Sequence, residues 1–190
     1  MTKTGETGPV RGYLKLEDAT RAFKFDFRGK TVLDIGSSTG GFTECALNYG
    51  AKKVIAVEKG SHQMKAPLRF DPRIELHEKT DIFDFSLSSN IDTVVADVSF
   101  MSLTQILKYL KSNLPSRHVA FLVMLKPQFE AEPHQLHNGV VKNEKIRRKI
   151  IKNFEYWLKT NDFLIIKKRD NNLHGKTGNI ERFYYLKLAK

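Results

Sequence analysis

One stretch near the start of the chain, residues 31–43, restricts the possible fold more than any other. Residues 31–35 form an apolar run with one acid near its end, which is typical of a buried parallel strand. A glycine-rich turn from Gly36 to Gly41 follows, and apolar residues then recur at helical spacing until Gly50. A strand, tight turn and helix in this order direct backbone N–H groups towards a ligand at the carboxyl edge of a sheet.

The spacing of the glycines excludes two common phosphate-binding turns. The middle glycine of a dinucleotide fingerprint would fall on Ser38, and no Gly-Lys-Ser/Thr of a phosphate loop follows. Asp34 precedes the glycines and suits a cationic ligand, while a second apolar run ends in Glu58, which is placed to hold a ribose diol. Together these features resemble class I S-adenosylmethionine-dependent methyltransferases. The alternative is an ordinary glycine-rich turn beside unrelated carboxylates.

The composition is that of a single soluble domain. The chain has 190 residues, of which 41% are hydrophobic, and no apolar run approaches the length of a membrane span. The N-terminus lacks an apolar signal region, so a cytoplasmic location is expected. The single cysteine, Cys45, lies on an apolar helix face, which favours a buried side chain over a catalytic thiol. No metal site is predicted.

The positive charge is concentrated in the last quarter of the chain. The net charge is +11, and residues 140–190 contain 14 Lys or Arg against 5 Asp or Glu. A basic surface of this kind indicates a polyanionic partner, most simply nucleic acid. A solvated, positively charged face is the simpler alternative.

Strand-like and helix-like segments alternate along the chain, which predicts a doubly wound α/β sheet. We expect a Rossmann-like methyltransferase fold with a seven-stranded, mostly parallel sheet, helices on both faces and an antiparallel strand at the C-terminus. Residues 1–11 are predicted to be flexible and residues 12–190 to form one domain. Helices are predicted over residues 16–24, 61–68 and 143–159, and a closing hairpin is predicted from strands 163–168 and 180–188.

Four charged residues stand out by position alone. Asp97 follows the fourth predicted strand and Lys126 the fifth, so both should lie at the carboxyl edge of the sheet. Glu181 begins the last strand, and Lys15 lies in an N-terminal segment that could fold over the same edge. A lysine after eight largely apolar residues is poorly explained by solvation alone. Structural ion pairs are the alternative for each residue taken singly.

Several longer motifs resemble the TlyA family, the hemolysin-like ribosomal RNA 2'-O-methyltransferases of the FtsJ-like group. They are Arg11-Gly…Lys15-Leu, Leu33-Asp-Ile-Gly-Ser-Ser-Thr-Gly-Gly-Phe-Thr, Gly50-Ala-Lys-Lys-Val, Ala96-Asp-Val-Ser-Phe-Met-Ser-Leu, Leu125-Lys-Pro-Gln-Phe-Glu and Gly178-Asn-Ile-Glu. The resemblance departs in the short N-terminus, where family members usually carry a small RNA-binding domain, and at Val10-Arg-Gly-Tyr, Glu58-Lys-Gly and Asn171-Asn.

The resemblance implies two sets of site residues, and the charge pattern adds a third. The catalytic tetrad falls on Lys15, Asp97, Lys126 and Glu181. S-adenosyl-L-methionine is implied as the cofactor, held by Asp34, Gly36, Ser37, Ser38, Thr39, Gly40, Gly41, Phe42, Thr43, Glu58, Lys59, Asp81, Ile82 and Asp97. RNA would contact Arg11 and a basic helix face made of Lys145, Arg147, Arg148, Lys149 and Lys152, which would track phosphates.

The implied activity is ribose 2'-O-methylation of ribosomal RNA, with cytidine as the expected target. Lys126 is the candidate to accept the hydroxyl proton or to stabilise the developing alkoxide, since an in-line displacement depends mainly on positioning. The partner is expected to be ribosomal RNA or a ribosomal subunit, with a second protein or an oligomer replacing the RNA-binding domain. The alternatives are a non-catalytic RNA-binding relative, a membrane-active hemolysin-like protein, and a methyltransferase for small molecules or proteins.

Overall fold

The computed structural model describes residues 11–88, 90–173 and 178–189. Within them a seven-stranded sheet is built from β1 (Thr31–Ile35), β2 (Lys53–Val57), β3 (Ile74–His77), β4 (Thr93–Ala96), β5 (Ala120–Leu125), β6 (Phe163–Asp170) and β7 (Arg182–Leu188). The α-helices are α1 (Arg11–Phe23), α2 (Gly41–Asn48), α3 (Leu103–Asn113), α4 (Pro127–Glu130) and α5 (Glu144–Thr160). Short 3-10 turns cover Leu68–Phe70, Ile82–Asp84 and Pro133–Gln135. Residues 1–10 of the segment predicted to be flexible lie outside the described residues.

The strand order β3-β2-β1-β4-β5-β7-β6 confirms the predicted fold class. Neighbouring strands from β3 to β5 run parallel, and β7 is antiparallel to both β5 and β6. The order reverses between β1 and β4, where the chain leaves one half of the sheet for the other. Ligands of open α/β sheets bind at the carboxyl ends of the strands at such a switch point.

The core has two halves, one on each face of the sheet. Because successive strand residues point to opposite faces, Leu33 and Ile35 pack with α3 and α5, while Val32 packs with α1 and α2. This alternation also assigns Asp34 to the face covered by α2, between Val32 and the glycine turn.

Three sequence predictions about helices meet different outcomes. The helix α5 was predicted within one residue at each end, because Asn143 caps it with its side chain and the apolar period is unbroken. The helix α1 begins at Arg11 instead of residue 16, since its first turn packs against α2. The helix predicted for residues 61–68 is wrong. The backbone N–H of Gln63 donates to Glu78 and its side-chain amide donates to Glu58, so this residue bonds to neighbouring carboxylates instead of to the carbonyl of a preceding helical turn.

Candidate active site

The glycine turn after β1 is fixed by close backbone approaches. Gly36 has φ +77°, and a Cβ atom there would lie 3.0 Å from the carbonyl oxygen of Asp97. A Cβ atom at Gly41 would lie 2.7 Å from the backbone nitrogen of Tyr13 in α1. Only glycine permits this contact without a shift of the backbone. The turn therefore determines how closely α1, which carries Lys15, approaches the sheet edge.

A first cleft of about 530 Å³ lies between the turn and the ends of β2 and β4. We call it the acidic cleft, since three carboxylates line it: Glu58, Asp81 and Asp97. Glu58 accepts a hydrogen bond from the backbone N–H of Ser38 at 2.9 Å, which ties the turn to β2. Lys59 donates to Asp81 at 2.9 Å and lowers the pKa of that carboxyl. Apolar side chains complete the walls: Ile35, Val57, Ile82, Val98 and Met101.

Asp34 does not line this cleft, although it was predicted to bind the cofactor. Its side chain is fully buried on the α2 face and accepts a hydrogen bond from the Thr43 hydroxyl at 2.6 Å. Burial raises the pKa of Asp34 to about 7, and the nearby carboxylates of Asp97 and Glu58 add to this against the opposing Thr43 hydrogen bonds. The Asp34–Thr43 hydrogen bond therefore joins β1 to α2 behind the turn.

The four residues of the predicted tetrad line a second cleft of about 630 Å³, which we call the tetrad cleft. Lys15 Nζ donates to Glu181 Oε2 at 2.5 Å, and both side chains are almost completely buried. Lys126 Nζ lies 2.7 Å from Asp97 Oδ1 and donates to the Ser99 hydroxyl at 2.9 Å. The tetrad is therefore two lysine–carboxylate pairs that face one space, contributed by α1, the ends of β4 and β5, and the start of β7.

The acidic cleft and the tetrad cleft adjoin each other. Both are lined by Gly36, Ser38, Asp97, Ser99 and Phe100. The buried Oδ1 atom of Asp97 has only an ion-pair contact to Lys126 and receives no hydrogen bond within the described chain. A molecule in the acidic cleft can thus present a reactive group to the lysines of the tetrad cleft.

The remaining predicted cofactor residues divide between these clefts and the interior. Ser37, Thr39, Gly41 and Phe42 line the tetrad cleft, and Lys59 and Ile82 line the acidic cleft. Gly40 lies behind the turn, where a Cβ atom would lie 2.8 Å from Leu68 Cδ1. The turn lies between β1 and α2 as the sequence predicted, but its members do not all line a cleft.

Two residues between β4 and α3 were missed by the sequence analysis. Ser99 orients Lys126, and Phe100 has φ +65° and is 91% exposed beside the ring of Phe129 at 5.3 Å. A bulky residue with positive φ is strained, and such strain concentrates at functional sites. The motifs Asp97-Val-Ser-Phe and Lys126-Pro-Gln-Phe contain these residues, but only their charged members drew attention.

The predicted RNA-contacting residues are mostly exposed. Arg11 lines the mouth of the tetrad cleft, and α5 exposes Lys145, Arg148, Lys149 and Lys152. The predicted exposure of Arg147 is wrong. This side chain is buried, its Nη2 atom lies 2.7 Å from Asp170 Oδ1, and its Nε atom donates to the carbonyl of Ile180. Arg147 shares the buried helix face of Ile151 and Phe154, at the spacing of one and two turns.

Two other site classes have no support in the described part of the chain. Its helices include none that is long and apolar enough to cross a bilayer. Among residues 11–88, 90–173 and 178–189, no group of three or more His, Cys, Asp or Glu side chains is arranged to hold a metal ion.

Comparison with known proteins decides the family. Residues 9–188 match the family described as FtsJ-like methyltransferase. The chain belongs to this family. It is 34% identical over 177 residues to the "23S rRNA (cytidine-2'-O)-methyltransferase TlyA" of Campylobacter jejuni, covering 92% of this chain and 69% of that protein. It is also 37% identical to "Hemolysin A" of Brachyspira hyodysenteriae, over 88% of this chain and 71% of that protein.

Solved structures agree with this assignment. A "putative hemolysin" from Lactococcus lactis has a TM-score of 0.87 and 34% identity, over 94% of this chain and 87% of that chain. A second, from Streptococcus thermophilus, has a TM-score of 0.88 and 31% identity over all of this chain and 70% of that chain. The resemblance inferred from the motifs is therefore confirmed.

The cofactor of this FtsJ-like methyltransferase is S-adenosylmethionine, and the residues of the acidic cleft fit it. The cleft volume is in the range of small-molecule sites. Glu58 holds the turn in place, Asp81 supplies a further carboxylate to the cleft, and the apolar walls suit an aromatic ring. Asp97 supplies a carboxylate that is shared with the tetrad and lines both clefts, where a sulfonium cation would be stabilised.

Proposed function

We propose that this FtsJ-like methyltransferase transfers a methyl group to a ribose 2'-hydroxyl of ribosomal RNA, with cytidine as the target nucleoside. The observation that carries the proposal is the convergence of Lys15, Asp97, Lys126 and Glu181 in a cleft that adjoins the acidic cleft. The relatives from Campylobacter jejuni and Mycobacterium tuberculosis, both named cytidine-2'-O-methyltransferases, support the substrate.

The chemistry requires a nucleophile that loses a proton while it attacks. When bound, S-adenosylmethionine supplies an electrophilic methyl group on a sulfonium cation. Lys126 acts in one of two ways: as a neutral amine it accepts the proton that leaves the hydroxyl, or as the ammonium paired with Asp97 it stabilises the negative charge that develops on the oxygen. Ser99 and Asp97 hold the Lys126 side chain from two sides, at 2.9 and 2.7 Å.

The second ion pair completes the site from the other wall. Lys15 and Glu181 are buried against each other, so their positions are fixed before substrate binds. Lys15 is placed to hold the reacting ribose or its neighbouring phosphate, while Glu181 keeps Lys15 in position. In this arrangement Lys126 acts on the reacting hydroxyl group, and Lys15 acts on the rest of the ribose or on its phosphate.

The basic face of α5 supplies contacts to the RNA backbone. Lys145, Lys149 and Lys152 are exposed, and Arg148 is exposed beside Glu144. Such contacts provide affinity without reading sequence. Arg11, at the mouth of the tetrad cleft, contacts the RNA near the reacting nucleotide. We propose that the protein acts in the cytoplasm, where ribosomal subunits are found.

The test measures methyl transfer and cofactor binding separately. The wild-type protein is incubated with ribosomal subunits and S-adenosylmethionine labelled in its methyl group, and calorimetry measures cofactor affinity. We expect Lys126→Ala to abolish transfer while cofactor affinity changes little. Lys108→Ala, an exposed lysine of α3, is the matched control and should retain both. Turnover by Lys126→Ala near that of wild type would overturn the assignment of Lys126.

A wild-type chain that binds the cofactor but transfers no label to any ribosomal substrate would instead support a non-catalytic RNA-binding relative. Asp34→Ala is unsuitable as the cofactor-site control, because its buried carboxyl joins β1 to α2. Glu58→Ala is preferable, since Glu58 lines the acidic cleft directly.

A further inference from the structure

A groove of about 320 Å³ lies outside both clefts, between α5 and the segment that follows α4. Its floor is apolar and is formed by Ile146, Ile150 and Phe154. Polar side chains stand around it, including Lys149, Asn153 and Gln135, and Trp157 forms one end. The volume lies at the lower end of the range for small-molecule sites.

One row of residues along α5 supplies the recognition groups of this groove. Lys145, Lys149, Asn153 and Trp157 follow each other at intervals of four, so their side chains lie on one face of the helix. The last three line the groove, and Lys145 lies one turn before them. The row begins with cations, continues with an amide and ends with an aromatic ring. This order places a phosphate-binding group, a hydrogen-bonding group and a stacking surface along one line.

The polar groups of this row are available for a ligand. Within the described chain, the Lys149 ammonium, the Asn153 amide and the Trp157 indole N–H make no hydrogen bond or ion pair. The Trp157 ring itself is fixed, since it stacks on Phe163 with centroids 6.0 Å apart and an interplanar angle of 26°. A rigid aromatic ring beside a free amide can bind a planar ligand at a low entropic cost.

Two acidic side chains line the groove, Glu130 and Glu132, and they differ in how far they are free to contact a ligand. Both oxygens of Glu130 are already used, because they accept hydrogen bonds from the Ser102 hydroxyl and the Leu103 backbone. Glu132 is exposed, with Oε2 3.3 Å from His134 Nδ1, and its carboxylate has room to accept a hydrogen bond from an exocyclic amino group of a base. The groove thus has a cationic end at Lys149 and an acceptor at Glu132.

Helix stability does not explain the cations in this row. The first turn of a helix favours acidic side chains, and α5 has Glu144 there, which pairs with Arg148. Lys145 lies in the same turn without an ion-pair partner among the described residues, and it adds to the positive end of the helix dipole. A negatively charged ligand along this end of the helix balances this charge.

We propose that this groove binds an unpaired nucleotide of the RNA substrate, at a position outside the site of methyl transfer. The base stacks at Trp157, Asn153 and Glu132 contact its edge, and Lys149 with Lys145 contacts the flanking phosphates. The inference rests on the proposed function, because it takes RNA as the substrate. It adds that the substrate presents a single-stranded nucleotide, with an amino-bearing base, beside α5.

Trp157 is the only tryptophan in the chain, so its fluorescence reports directly on the groove. The purified full chain is titrated with a single-stranded oligocytidylate and with a perfectly paired RNA duplex of equal length. We expect saturable quenching with the single strand and little with the duplex. Equal quenching by both, or none by either, would overturn the proposal.

Variants test the individual contacts. Asn153→Ala and Lys149→Ala should each weaken binding of the oligocytidylate about 5- to 10-fold, while Lys159→Ala, an exposed lysine outside the groove on the same helix, should not. Trp157→Phe keeps a ring that packs on Phe163 and serves as the folded variant for affinity measured by a labelled RNA. Equal effects of Lys149→Ala and Lys159→Ala would show that the helix attracts RNA only by its overall charge, which would contradict a specific site in the groove.

Methyl-transfer kinetics separate this proposal from the proposed function. With ribosomal subunits as substrate, Asn153→Ala should raise KM for RNA about 5-fold and leave kcat and cofactor affinity near wild type. If wild type transfers methyl to RNA and Asn153→Ala has an unchanged KM, only the groove is excluded. If wild type transfers no methyl to RNA, the proposed function fails, and the titration with oligocytidylate and duplex then decides on the groove by itself.

Discussion

Lys15 and Glu181 are separated by 166 residues in the chain, yet Lys15 Nζ donates to Glu181 Oε2 at 2.5 Å in the tetrad cleft. Their side chains are only 8% and 4% exposed. This pair joins α1 to the start of β7 across the sheet edge. It therefore contributes both to the architecture of the site and to its proposed chemistry.

We expect that removing one partner of this pair destabilises the protein. Lys15→Ala leaves the Glu181 carboxylate buried without compensation, which costs about 3–5 kcal/mol of unfolding free energy. The double variant Lys15→Met with Glu181→Leu should recover most of this loss but remain inactive. Urea denaturation combined with methyl-transfer assays checks both statements. A double variant as unstable as the single one would show that the charges themselves stabilise the fold.

The buried Asp34 makes stability depend on pH. Its carboxyl has a folded pKa of about 7, against an ordinary value of 3.8. Between these values the folded chain keeps a proton that the unfolded chain releases, so the unfolding free energy falls as pH rises towards 7 and is then level.

Asp34→Asn removes this titration while it keeps an acceptor for Thr43. Relative to Asp34→Asn, wild type should lose up to about 1.4 kcal/mol of unfolding free energy per pH unit between pH 5 and 7. Urea denaturation of both proteins from pH 5 to 8 measures the difference. A difference that is constant over this range would contradict the assigned pKa shift.

Glu130 connects the two segments that carry Asp97 and Lys126. It ends α4, and its carboxylate caps α3 by accepting hydrogen bonds from Ser102 and from the Leu103 backbone at 2.6 and 2.7 Å. We expect Glu130→Ala to lower kcat about 10-fold with cofactor affinity retained, because the Lys126–Asp97 geometry loosens. Glu130→Gln, which still accepts one of the bonds, should be intermediate. Steady-state kinetics in which only KM changes would exclude this positioning role.

The basic face of α5 should determine the salt dependence of RNA binding. Reversing the charges of Lys145, Lys149 and Lys152 to Glu removes up to three phosphate contacts, so the slope of log affinity against log salt should fall by about 2–3. The control reverses three exposed lysines elsewhere, Lys52, Lys108 and Lys187. Filter binding at several salt concentrations measures both slopes. Equal changes in the two variants would indicate a response to net charge alone.

The sequence predicted the positions of the tetrad because strand ends determine them. Asp97 and Lys126 follow buried apolar runs, and parallel strands bring their carboxyl ends to one edge. The partners of these residues were not predictable, since pairing of Lys15 with Glu181 depends on how α1 packs. The close contact of Gly41 with the backbone of Tyr13, which allows this packing, has no local signature in the sequence.

The structure differs from the expectations for Arg147 and Asp34, for two different reasons. Arg147 belongs to a charged helix face by composition, but Asp170 at the end of β6 draws it into the interior. Asp34 was expected to face the ligand, whereas strict strand alternation turns it towards Thr43 on α2. The inward position of Asp34 could have been predicted from the strand alternation. The burial of Arg147 could not, because its partner Asp170 lies far away in the sequence.

The position of the transferred methyl group tests the central claim most directly. Ribosomal subunits are labelled by the wild-type protein and methyl-labelled S-adenosylmethionine, and the RNA is then hydrolysed in alkali. A 2'-O-methyl group blocks cleavage of the adjacent phosphodiester, so we predict label in alkali-resistant dinucleotides, and no label with Lys126→Ala. Label recovered in mononucleotides would indicate methylation of a base and would contradict ribose methylation by this site.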